Sequence, residues 1–213
     1  SHTPKPLVKI NNKSLLEHSL DKLQNAGIKN VVINTHHIHS KILKFVKSLD
    51  RKIDVIYEEE ILDTGGGVLN AIKAGKVGKN NLPFFVINGD VLVNIDFEKM
   101  LDFHVEHNSE ATMCINEYNI NSPYGEVTLD NENIVSIKEK PQYKYFVNSG
   151  VYVLKPSCIG LVPKKFFDMP SLFNKLIQKK KKVISFPSKE YWLDIGRIND
   201  FKKANLEYSS VFE

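Results

Sequence analysis

The sequence predicts an α/β protein: a three-layer sandwich with a mostly parallel, mixed central sheet and a small β-rich lobe. Three observations predict this class. Helical and strand patterns alternate through the first half of the chain, as in βαβ units. The run 84–87 is apolar without alternation, which is typical of a strand buried on both faces of a parallel sheet. After residue 111 the pattern changes to short strands separated by turns, which indicates the lobe.

The elements of the first half have clear start and stop signals. Ser14 and Glu17 match a capping box before a helix, and Gly27 is suited to end that helix. A helix that opens at the glycines of residues 65–67 is expected to stop at Gly75. Strands are predicted at 31–33, 53–57 and 84–87, a further helix at 38–49, and a helix capped by Asp96 at 97–105.

The second half is predicted to be richer in strands. We expect strands at 111–115, 126–129, 134–137, 146–154, 183–186 and 191–195, a helix at 171–180, and a terminal helix capped by Asn199. No linker, repeat or low-complexity tract divides the chain. Residues 1–213 are therefore predicted to form one domain, with a β-rich insertion at about 111–154.

The amino-acid composition indicates which ligands and which cellular environment suit the protein. The 213 residues are 42% hydrophobic and 25% charged, which is ordinary for a soluble globular protein. The net charge of +4 comes almost wholly from lysine, which suits anionic small molecules better than nucleic acid. Cys114 and Cys158 have no CxxC partner and are expected to be buried, reduced thiols. No apolar run approaches the ~20 residues of a membrane span, so we expect a cytoplasmic protein without membrane contact.

Two acids stand at the ends of apolar segments. Asp90 ends the run Asn88-Gly89-Asp90, where open α/β sheets bind ligands, although the same residues suit a plain turn. Asp194 lies in the apolar segment 191–195, where an unpaired carboxylate is costly. Converging acids of this kind suit Mg²⁺, which prefers one or two carboxylates plus phosphate oxygens. The alternative is that local backbone N–H groups satisfy each carboxylate.

Four further features have two readings each. The glycines of residues 65–67 suit either close approach to a ligand or a tight turn. Glu139-Lys140 suits either a site or a surface hairpin end. Gly150 interrupts an apolar strand, which is unfavourable unless something approaches closely. His104 and His107 lack companion ligands, so packed or surface histidines are favoured over a metal site.

The order of the motifs is more specific than any one of them. The motifs are Thr-Pro-Lys-Pro at 3–6, Thr-Gly-Gly at 64–66, Asn-Gly-Asp at 88–90, Tyr-Gly at 124–125, Glu-Lys-Pro at 139–141, Asn-Ser-Gly at 148–150 and Tyr-Trp-Leu-Asp-Ile-Gly at 191–196. Taken together they resemble the sugar-1-phosphate nucleotidyltransferases (NDP-sugar pyrophosphorylases). The first half is nearest the N-acetylmuramate-1-phosphate uridylyltransferase type, and the second half is nearest the mannose-1-phosphate guanylyltransferase-like proteins.

The resemblance implies a Rossmann-like fold and transfer of a nucleotidyl group from a nucleoside triphosphate to a sugar 1-phosphate, with Mg²⁺ as cofactor. It implies a role in precursors of cell-surface polysaccharides. The implied catalytic residues are Lys5, Asp90 and Asp194, and the last two are the implied metal ligands. The implied nucleotide-binding residues are Glu59, Thr64, Gly65, Gly66, Asn88 and Gly89. The implied sugar-phosphate residues, on the insertion, are Tyr124, Gly125, Glu139, Lys140, Asn148 and Gly150.

The base is left open between guanine and uracil. A carboxylate at Glu58 or Glu59 can accept hydrogen bonds from N1–H and from the exocyclic amine of guanine, and uracil cannot match that pair. GTP is therefore favoured, with UTP as the alternative. A second alternative is a catalytically inactive module that binds nucleotide or sugar phosphate.

One departure from the family pattern concerns the start of the chain. The family begins with a strand and a glycine-rich GxGxR loop ahead of the Pro-Lys motif, and this sequence starts too late to include them. We therefore expect a domain that lacks its N-terminal segment, with impaired or absent catalysis by these 213 residues alone. A homo-oligomer and a fused regulatory domain in the parent protein are both compatible with the sequence.

Overall fold

The structure is a computed structural model that describes residues 3–163 and 165–212. The helices are α1 Leu15–Asn25, α2 His39–Lys47, α3 Asp63–Lys73, α4 Phe97–Glu106, α5 Met169–Gln178 and α6 Ile198–Phe212. The strands are β1 Lys9–Ile10, β2 Lys13–Ser14, β3 Val31–Thr35, β4 Ile53–Tyr57, β5 Phe84–Ile87, β6 Val91–Val93, β7 Ala111–Asn121, β8 Glu126–Asp130, β9 Asn133–Lys138, β10 Gln142–Leu154, β11 Val183–Ser188 and β12 Trp192–Asp194.

The helix ends follow local hydrogen-bonding rules. The Ser14 hydroxyl accepts from the Glu17 N–H at 3.2 Å, and the Glu17 carboxylate accepts from the Ser14 N–H at 3.0 Å. Asp96 caps α4 in the same way through the N–H of Lys99. Both predicted caps are confirmed. The prediction for Asn199 is wrong, because α6 already begins at Ile198.

The central sheet is mixed, which confirms the predicted fold class. Its strand order is β11-β7-β10-β5. Strand β10 is antiparallel to both β5 and β7, and β11 is parallel to β7, so three of the four strands point the same way. Strands β3 and β4 form a separate parallel pair. The observed partner of β5 is thus antiparallel, and the sequence-based expectation of a parallel neighbour is wrong for that ladder.

Helices cover both faces of this sheet. On one face, Tyr152 and Leu154 of β10 pack with Leu172 of α5 and Val68 of α3. On the other face, alternate β10 residues such as Val153 pack in a cluster built from α1 and α4. Because successive strand residues point to opposite faces, β10 lies between two helical layers. The three-layer arrangement follows directly from this alternation. None of the described helices is long and apolar enough to cross a membrane.

The β-rich lobe grows out of two long strands of the sheet. Strand β7 is exposed from Glu117 onward, and β10 is mostly exposed before Ser149. Beyond these points, the hairpin β8–β9 extends the lobe. The predicted insertion at 111–154 therefore begins and ends inside the central sheet, where Ala111 and Leu154 are fully buried.

The cysteines and the histidine pair have structural surroundings. Both thiols are free and buried, as predicted, and burial raises the pKa of Cys114 to about 11 and that of Cys158 to about 12. His104 is buried beside Thr112, with 2.8 Å between its Nδ1 and the Thr112 hydroxyl. Burial lowers its pKa to about 4, so the ring is neutral and packed. His107 bonds to a carbonyl of its own helix, so this pair forms no metal site.

Candidate active site

Backbone pairing brings the two conspicuous acids together. The strand β5 ends, and the turn Asn88-Gly89-Asp90 leads directly into β6. Strand β12 pairs antiparallel with β6, with Asp194 opposite Val91. The Ile195 N–H then donates to the Asp90 carbonyl at 2.8 Å. Neighbouring positions on paired strands thus bring the two acids close enough for the charge of Asp90 to raise the pKa of Asp194.

Lys5 joins the two acids from the start of the chain. Its Nζ lies 3.4 Å from Asp90 Oδ2. The next residue, Pro6, lies against Gly89, since a Cβ built on Gly89 would lie only 3.1 Å from the Pro6 ring. The ion pair is partly exposed and contributes little to stability. The ion pair instead fixes where the positive charge of Lys5 lies, close to the negative charges of Asp90 and Asp194. We call these three residues the acid cluster.

The electrostatics of the acid cluster favour a cation. Partial desolvation raises the pKa of Asp194, the charges of Asp90 and Asp200 raise it further, and Lys5 opposes them. The sequence-based picture of Asp194 as a buried acid is wrong, because the residue is exposed at the end of a three-residue strand. The pKa shift therefore reflects partial desolvation first and repulsion from the neighbouring carboxylates second. A divalent cation relieves such repulsion.

Mg²⁺ fits this pair of acids. Within residues 3–163 and 165–212, no three His, Cys, Asp or Glu side chains gather into a metal site. The pair therefore supplies at most two protein ligand groups. That number suits Mg²⁺, which is commonly held by one or two carboxylates with substrate phosphates completing the shell.

Asn88 connects the acid cluster to β10. Its N–H donates to the Gly150 carbonyl at 2.8 Å. A Cβ built on Gly150 would lie 2.8 Å from Asn88 Nδ2, so a glycine is needed there for close approach. Asn148 supports the contact, because its Oδ1 accepts from the Gly150 N–H and its Nδ2 donates to the Tyr152 hydroxyl. Asn88 Oδ1 is buried without a hydrogen-bond partner among the described residues, which leaves an acceptor for a ligand.

A second acidic position lies at the end of β4. Glu58 is only 7% exposed, and its Oε1 has no hydrogen-bond partner in the described part of the chain. Burial raises its pKa, and the Leu62 N–H and the nearby His36 oppose that rise. A Cβ built on Gly67 would lie 2.7 Å from Glu58 Oε1 and 2.9 Å from Asn34 Nδ2. We call Asn34, Glu58 and Gly67 the base corner, because they surround a buried, unused acceptor.

The base corner changes two details of the predicted nucleotide site. Glu58 and Glu59 are both candidates from the sequence, with Glu59 named for the nucleotide site; in the structure Glu59 is exposed and Glu58 is buried. Gly65 and Gly66 pack against the segment before α5: a Cβ on Gly65 would lie 2.7 Å from the Phe167 carbonyl. The Gly66 N–H already donates to that carbonyl at 3.1 Å. Of the three glycines singled out from the sequence, Gly67 is the one that lines the cleft, although only Gly65 and Gly66 were assigned to the nucleotide. Asn34 is the residue that sequence reasoning did not assign to the site.

The first turn of α3 lies on the same side of the sheet as the acid cluster. Asp63 is close enough to Tyr152 to raise its pKa through its negative charge, although burial of Tyr152 is the larger cause. The Tyr152 hydroxyl in turn bonds to Asn148, beyond the end of β5. Residues at or just beyond the ends of β3, β4 and β5, namely Asn34, Glu58 and Asn88, line one cleft together with Thr64. Ligands of open α/β sheets bind at such strand ends.

The predicted sugar-phosphate residues fall into two groups. Asn148 and Gly150 contact Asn88 or each other beside the acid cluster, as described above. Gly125 and Glu139 meet on the lobe, where a Cβ on Gly125 would lie 2.8 Å from Glu139 Oε2. In the described part of the chain, no hydrogen bond or ion pair joins Glu139 or Lys140 to the acid cluster. Tyr124 is 76% exposed beside them. The lobe therefore presents these residues to solvent rather than to a preformed pocket.

Lys5 and Asp90 of the acid cluster and all three residues of the base corner line one cleft. The cleft has a volume of about 920 Å³ and lies between β3 and β5. That volume is at the upper end for a small-ligand site. Its lining includes Lys5, Asn34, Glu58, Asp63, Thr64, Gly67, Asn88 and Asp90. A site with a cation, two adjacent carboxylates and unused acceptors suits a phosphorylated ligand bearing a polar ring.

A family model described as nucleotidyl transferase matches residues 1–211. The chain belongs to the nucleotidyl transferase family. It is 31% identical over 98% of its length to a mannose-1-phosphate guanyltransferase of Pichia angusta, and 30% identical over 96% to that of Saccharomyces cerevisiae. The match covers 59% of each relative, so the chain spans about three fifths of the curated relatives that it matches.

Two solved structures share the fold of this chain. HddC from Yersinia pseudotuberculosis superposes with a TM-score of 0.74 and 28% identity, covering 98% of this chain and 91% of that one. A second HddC structure, complexed with GMP-PN, superposes with a TM-score of 0.73 and 26% identity, covering 97% and 90%. The Rossmann-like fold expected from the motifs is therefore confirmed for this nucleotidyl transferase.

Proposed function

We propose that this nucleotidyl transferase transfers a nucleotidyl group from GTP to a sugar 1-phosphate and releases pyrophosphate. The observation that carries the proposal is the convergence of Lys5 with Asp90 and Asp194 at the strand ends. The names of the relatives agree with it, because they are mannose-1-phosphate guanyltransferases. The GMP-PN bound to HddC also makes a guanine nucleotide a reasonable ligand.

The reaction needs charge neutralisation more than proton transfer. An oxygen of the sugar phosphate attacks the α-phosphorus of the triphosphate, a new P–O bond forms, and the bond to pyrophosphate breaks. The sugar phosphate is ionised at neutral pH, so its attacking oxygen needs no protein base. Catalysis of this kind is mainly positioning and electrostatic stabilisation. Lys5 supplies positive charge for the phosphate oxygens where negative charge builds during transfer.

Asp90 and Asp194 are the proposed holders of Mg²⁺. Their neighbouring carboxylates and the raised pKa of Asp194 fit a divalent cation. When bound, the ion would neutralise phosphate charge and orient the two substrates. The protein residues keep the two carboxylates at fixed positions through the β6–β12 ladder. Asn88 is proposed to add a neutral contact to the nucleotide beside them, together with Gly89.

Glu58 is the proposed selector of guanine. Its carboxylate is buried with one oxygen unused, so a ligand that donates hydrogen bonds restores a lost interaction. Guanine offers N1–H and an exocyclic amine side by side, whereas uracil offers N3–H between two carbonyl oxygens. Asn34 adds an amide beside Glu58. Thr64 and the backbone of Gly67 complete the proposed base site.

The sugar phosphate is proposed to bind between Asn148 and the lobe. Lys140 would pair with the phosphate and Glu139 with sugar hydroxyl groups, and both side chains are exposed and unpaired among the described residues. Gly125 lets the Tyr124 turn approach Glu139 closely. Gly150 serves the Asn88 contact rather than the sugar directly. The kind of sugar stays a prediction of the family resemblance.

The test is a turnover assay on the protein made from its complete reading frame, with residues 1–213 assayed in parallel. Each of GTP, UTP, ATP and dTTP is offered with mannose, glucose or N-acetylglucosamine 1-phosphate and Mg²⁺, and pyrophosphate release is measured. We expect release with GTP to exceed release with UTP at least tenfold. Release with UTP alone would contradict the guanylyl proposal.

The rival function is a binding module without catalysis. It predicts that GMP-PN binds in a calorimeter while no substrate pair releases pyrophosphate from the complete protein. The matched variants Glu58→Gln and Glu59→Gln test whether the nucleotide binds in the cleft. Only Glu58 lines the cleft, so only Glu58→Gln should weaken GMP-PN binding. Binding without turnover in the complete, folded protein would overturn the enzymatic proposal and leave the nucleotide site in place.

A further inference from the structure

A buried polar network joins the central sheet to β12. Asn116 of β7 is 8% exposed, and its Nδ2 donates to the carbonyls of Ser188 and Glu190, each at 3.2 Å. Its Oδ1 accepts from the Ser149 hydroxyl at 2.6 Å. The Ser149 carbonyl in turn accepts from the Trp192 Nε1–H at 2.8 Å. We call Asn116, Ser149 and Trp192 the inner network.

The side chain of Asn116 is fully used by these contacts. Carbonyl oxygens only accept hydrogen bonds, so the contacts with Ser188 and Glu190 fix which end of the amide is Nδ2. Ser149 is fully buried, and a polar group at such a position is costly unless it is paired. A buried network in which every member is satisfied is rigid. The inner network therefore holds β7, β10 and the turn 188–190 at one spacing.

This network decides where β12 lies against the central sheet. Among the described strands β12 pairs only with β6, and these two strands form a sheet of their own. Trp192 also packs on the apolar cluster that contains Val93 and Val151, but apolar contact is non-directional. Hydrogen bonds, by contrast, have preferred distances and angles. The inner network therefore fixes the position of β12 and of its last residue, Asp194.

Ser149 also lies between two residues of the proposed site. Asn148 precedes it and is the proposed contact of the sugar phosphate. Gly150 follows it, and the Gly150 carbonyl accepts from the Asn88 N–H at 2.8 Å. The pairing of β10 with β7 is irregular at this point, and Gly150 has a φ of 73°. Three consecutive residues of β10 are thus assigned to the sugar phosphate, to β12 and to the nucleotide turn.

We propose that Asn116 and Ser149 are positioning residues of the nucleotidyl transfer reaction. They act through Trp192 and the turn 188–190, and they hold Asp194 where one divalent cation reaches both substrates. The inference rests on the proposed function, because that function assigns Asp194 to the cation. A purely structural role of the inner network predicts something different: a less stable protein whose affinity for the cation is unchanged.

The test compares two buried hydroxyl groups of the sheet. Ser149→Ala removes the hydroxyl that bonds to Asn116. Thr112→Val removes an equally buried hydroxyl of β7, whose partners are His104 and Ser109 rather than residues of β12 or of the turn before it. Both variants lose a buried hydrogen bond, so both should lose stability. Only Ser149→Ala should also change the cation site.

Binding of Mn²⁺, used as the probe for Mg²⁺, is measured by electron paramagnetic resonance on the protein made from its complete reading frame. We expect Ser149→Ala to weaken Mn²⁺ binding about tenfold and Thr112→Val to change it by less than about twofold, since loss of outer-shell support typically costs 10–100-fold in metal affinity. Equal weakening in both variants would assign the effect to general instability. That result, or unchanged binding in Ser149→Ala, would overturn the proposal.

Rescue by the cation is a second signature of positioning. In the turnover assay with GTP and mannose 1-phosphate, the apparent Mg²⁺ constant of Ser149→Ala should rise by about tenfold as well, and excess Mg²⁺ should restore most of the rate. A rate that stays low at saturating Mg²⁺ would contradict the proposal. Trp192→Phe keeps an aromatic ring and removes the Nε1–H donor, so it should show the same loss of Mn²⁺ affinity. This variant decides the matter if Ser149→Ala does not fold.

Asp194→Asn separates this inference from the proposed function. If Asp194→Asn loses Mn²⁺ binding while Ser149→Ala and Trp192→Phe retain it, the positioning role is wrong and the metal assignment stands. If Asp194→Asn binds Mn²⁺ as tightly as the unmodified protein, the metal assignment is wrong and the inference falls with it. The expected order of Mn²⁺ affinity is the unmodified protein and Thr112→Val first, then Ser149→Ala and Trp192→Phe, and Asp194→Asn last.

Discussion

The acid cluster and the base corner hold their carboxylates in opposite ways. Asp90 and Asp194 lie at an open surface, next to each other and to a lysine. Glu58 is buried, and one of its oxygens has no partner among the described residues. Desolvation is the largest cause of the raised pKa at both acids. At Asp194 the charge of Asp90 raises the pKa further, whereas at Glu58 the Leu62 N–H and His36 oppose the rise.

The difference separates two tasks of the proposed enzyme. An open pair of like charges binds and releases a hydrated cation with its phosphate ligands at little structural cost. A buried acceptor with a fixed direction discriminates between ligands, because a ligand that fails to donate leaves it unsatisfied. Mutations in the first region should therefore reduce rate, and mutations in the second should change preference.

The largest expected effect comes from Asp194→Asn. Removing a proposed metal ligand should lower kcat of the complete enzyme by about 100-fold or more, as loss of transition-state electrostatic stabilisation does elsewhere. The same change should raise the melting temperature at neutral pH, because it removes repulsion with Asp90. Steady-state kinetics and thermal unfolding measure the two effects. Asp200→Asn is the matched control and should keep kcat within about threefold. A fully active Asp194→Asn variant would exclude the carboxylate pair from catalysis.

Glu58→Gln should change preference rather than rate. The glutamine still offers one acceptor, but it replaces the other oxygen by a donor that clashes with guanine. The ratio of kcat/KM for GTP over UTP should fall by about 10- to 100-fold, in the range of one lost matched hydrogen bond. Glu59→Gln, one residue further along and exposed, should leave the ratio unchanged. Equal effects at both positions would indicate a long-range influence on the site rather than direct recognition.

Two neighbouring glycines should differ in their roles, because Gly65 packs inside the fold and Gly67 lines the ligand cleft. Gly65→Ala brings a Cβ to 2.7 Å from the Phe167 carbonyl, which is backbone and cannot turn away. Overpacking of this kind typically lowers the free energy of unfolding by about 1–3 kcal/mol, which chemical denaturation can measure. Gly67→Ala meets the Glu58 and Asn34 side chains instead. It should therefore weaken GTP binding more than stability. Stability losses in the opposite order would reverse the assignment of the two glycines.

Local sequence rules predicted many of the helices and strands of the fold. The capping box at Ser14, the Asp96 cap and the apolar run of β5 depend on residues close in sequence, so their patterns are visible without tertiary contacts. The meeting of Asp90 with Asp194 followed from the ordered motifs and the family resemblance. The exposure of Asp194 did not, because β12 is a short strand whose end is open to solvent.

The choice between Glu58 and Glu59 could not be made from sequence. The two acids are adjacent, and tertiary pairing decides which one points inward. The Glu58 N–H donates to the Thr35 carbonyl at 2.8 Å, so pairing with β3 extends one residue beyond β4. Gly67 did carry a signal, since Thr64, Gly67 and Ala71 recur at helical spacing and all line the cleft. Asn34 had no comparable signal, because its role depends on α3 packing beside β3.

The smallest expected effect is a pH dependence that belongs to the base corner alone. Burial raises the pKa of Glu58 above its ordinary value of 4.5, so the carboxylate takes up a proton at a higher pH than a solvated glutamate. Once protonated, it loses one acceptor for guanine. GTP affinity should therefore fall as the pH drops towards that raised pKa, while UTP affinity changes less. The folded state binds this proton more tightly than the unfolded state, so Glu58 also disfavours folding increasingly as the pH rises through the same interval. Calorimetric titration with GMP-PN between pH 5 and 8 should show the decline in the wild-type chain and a flat profile in Glu58→Gln. An identical decline in both would assign the titration to another group, and the two regions would then no longer differ in the way proposed.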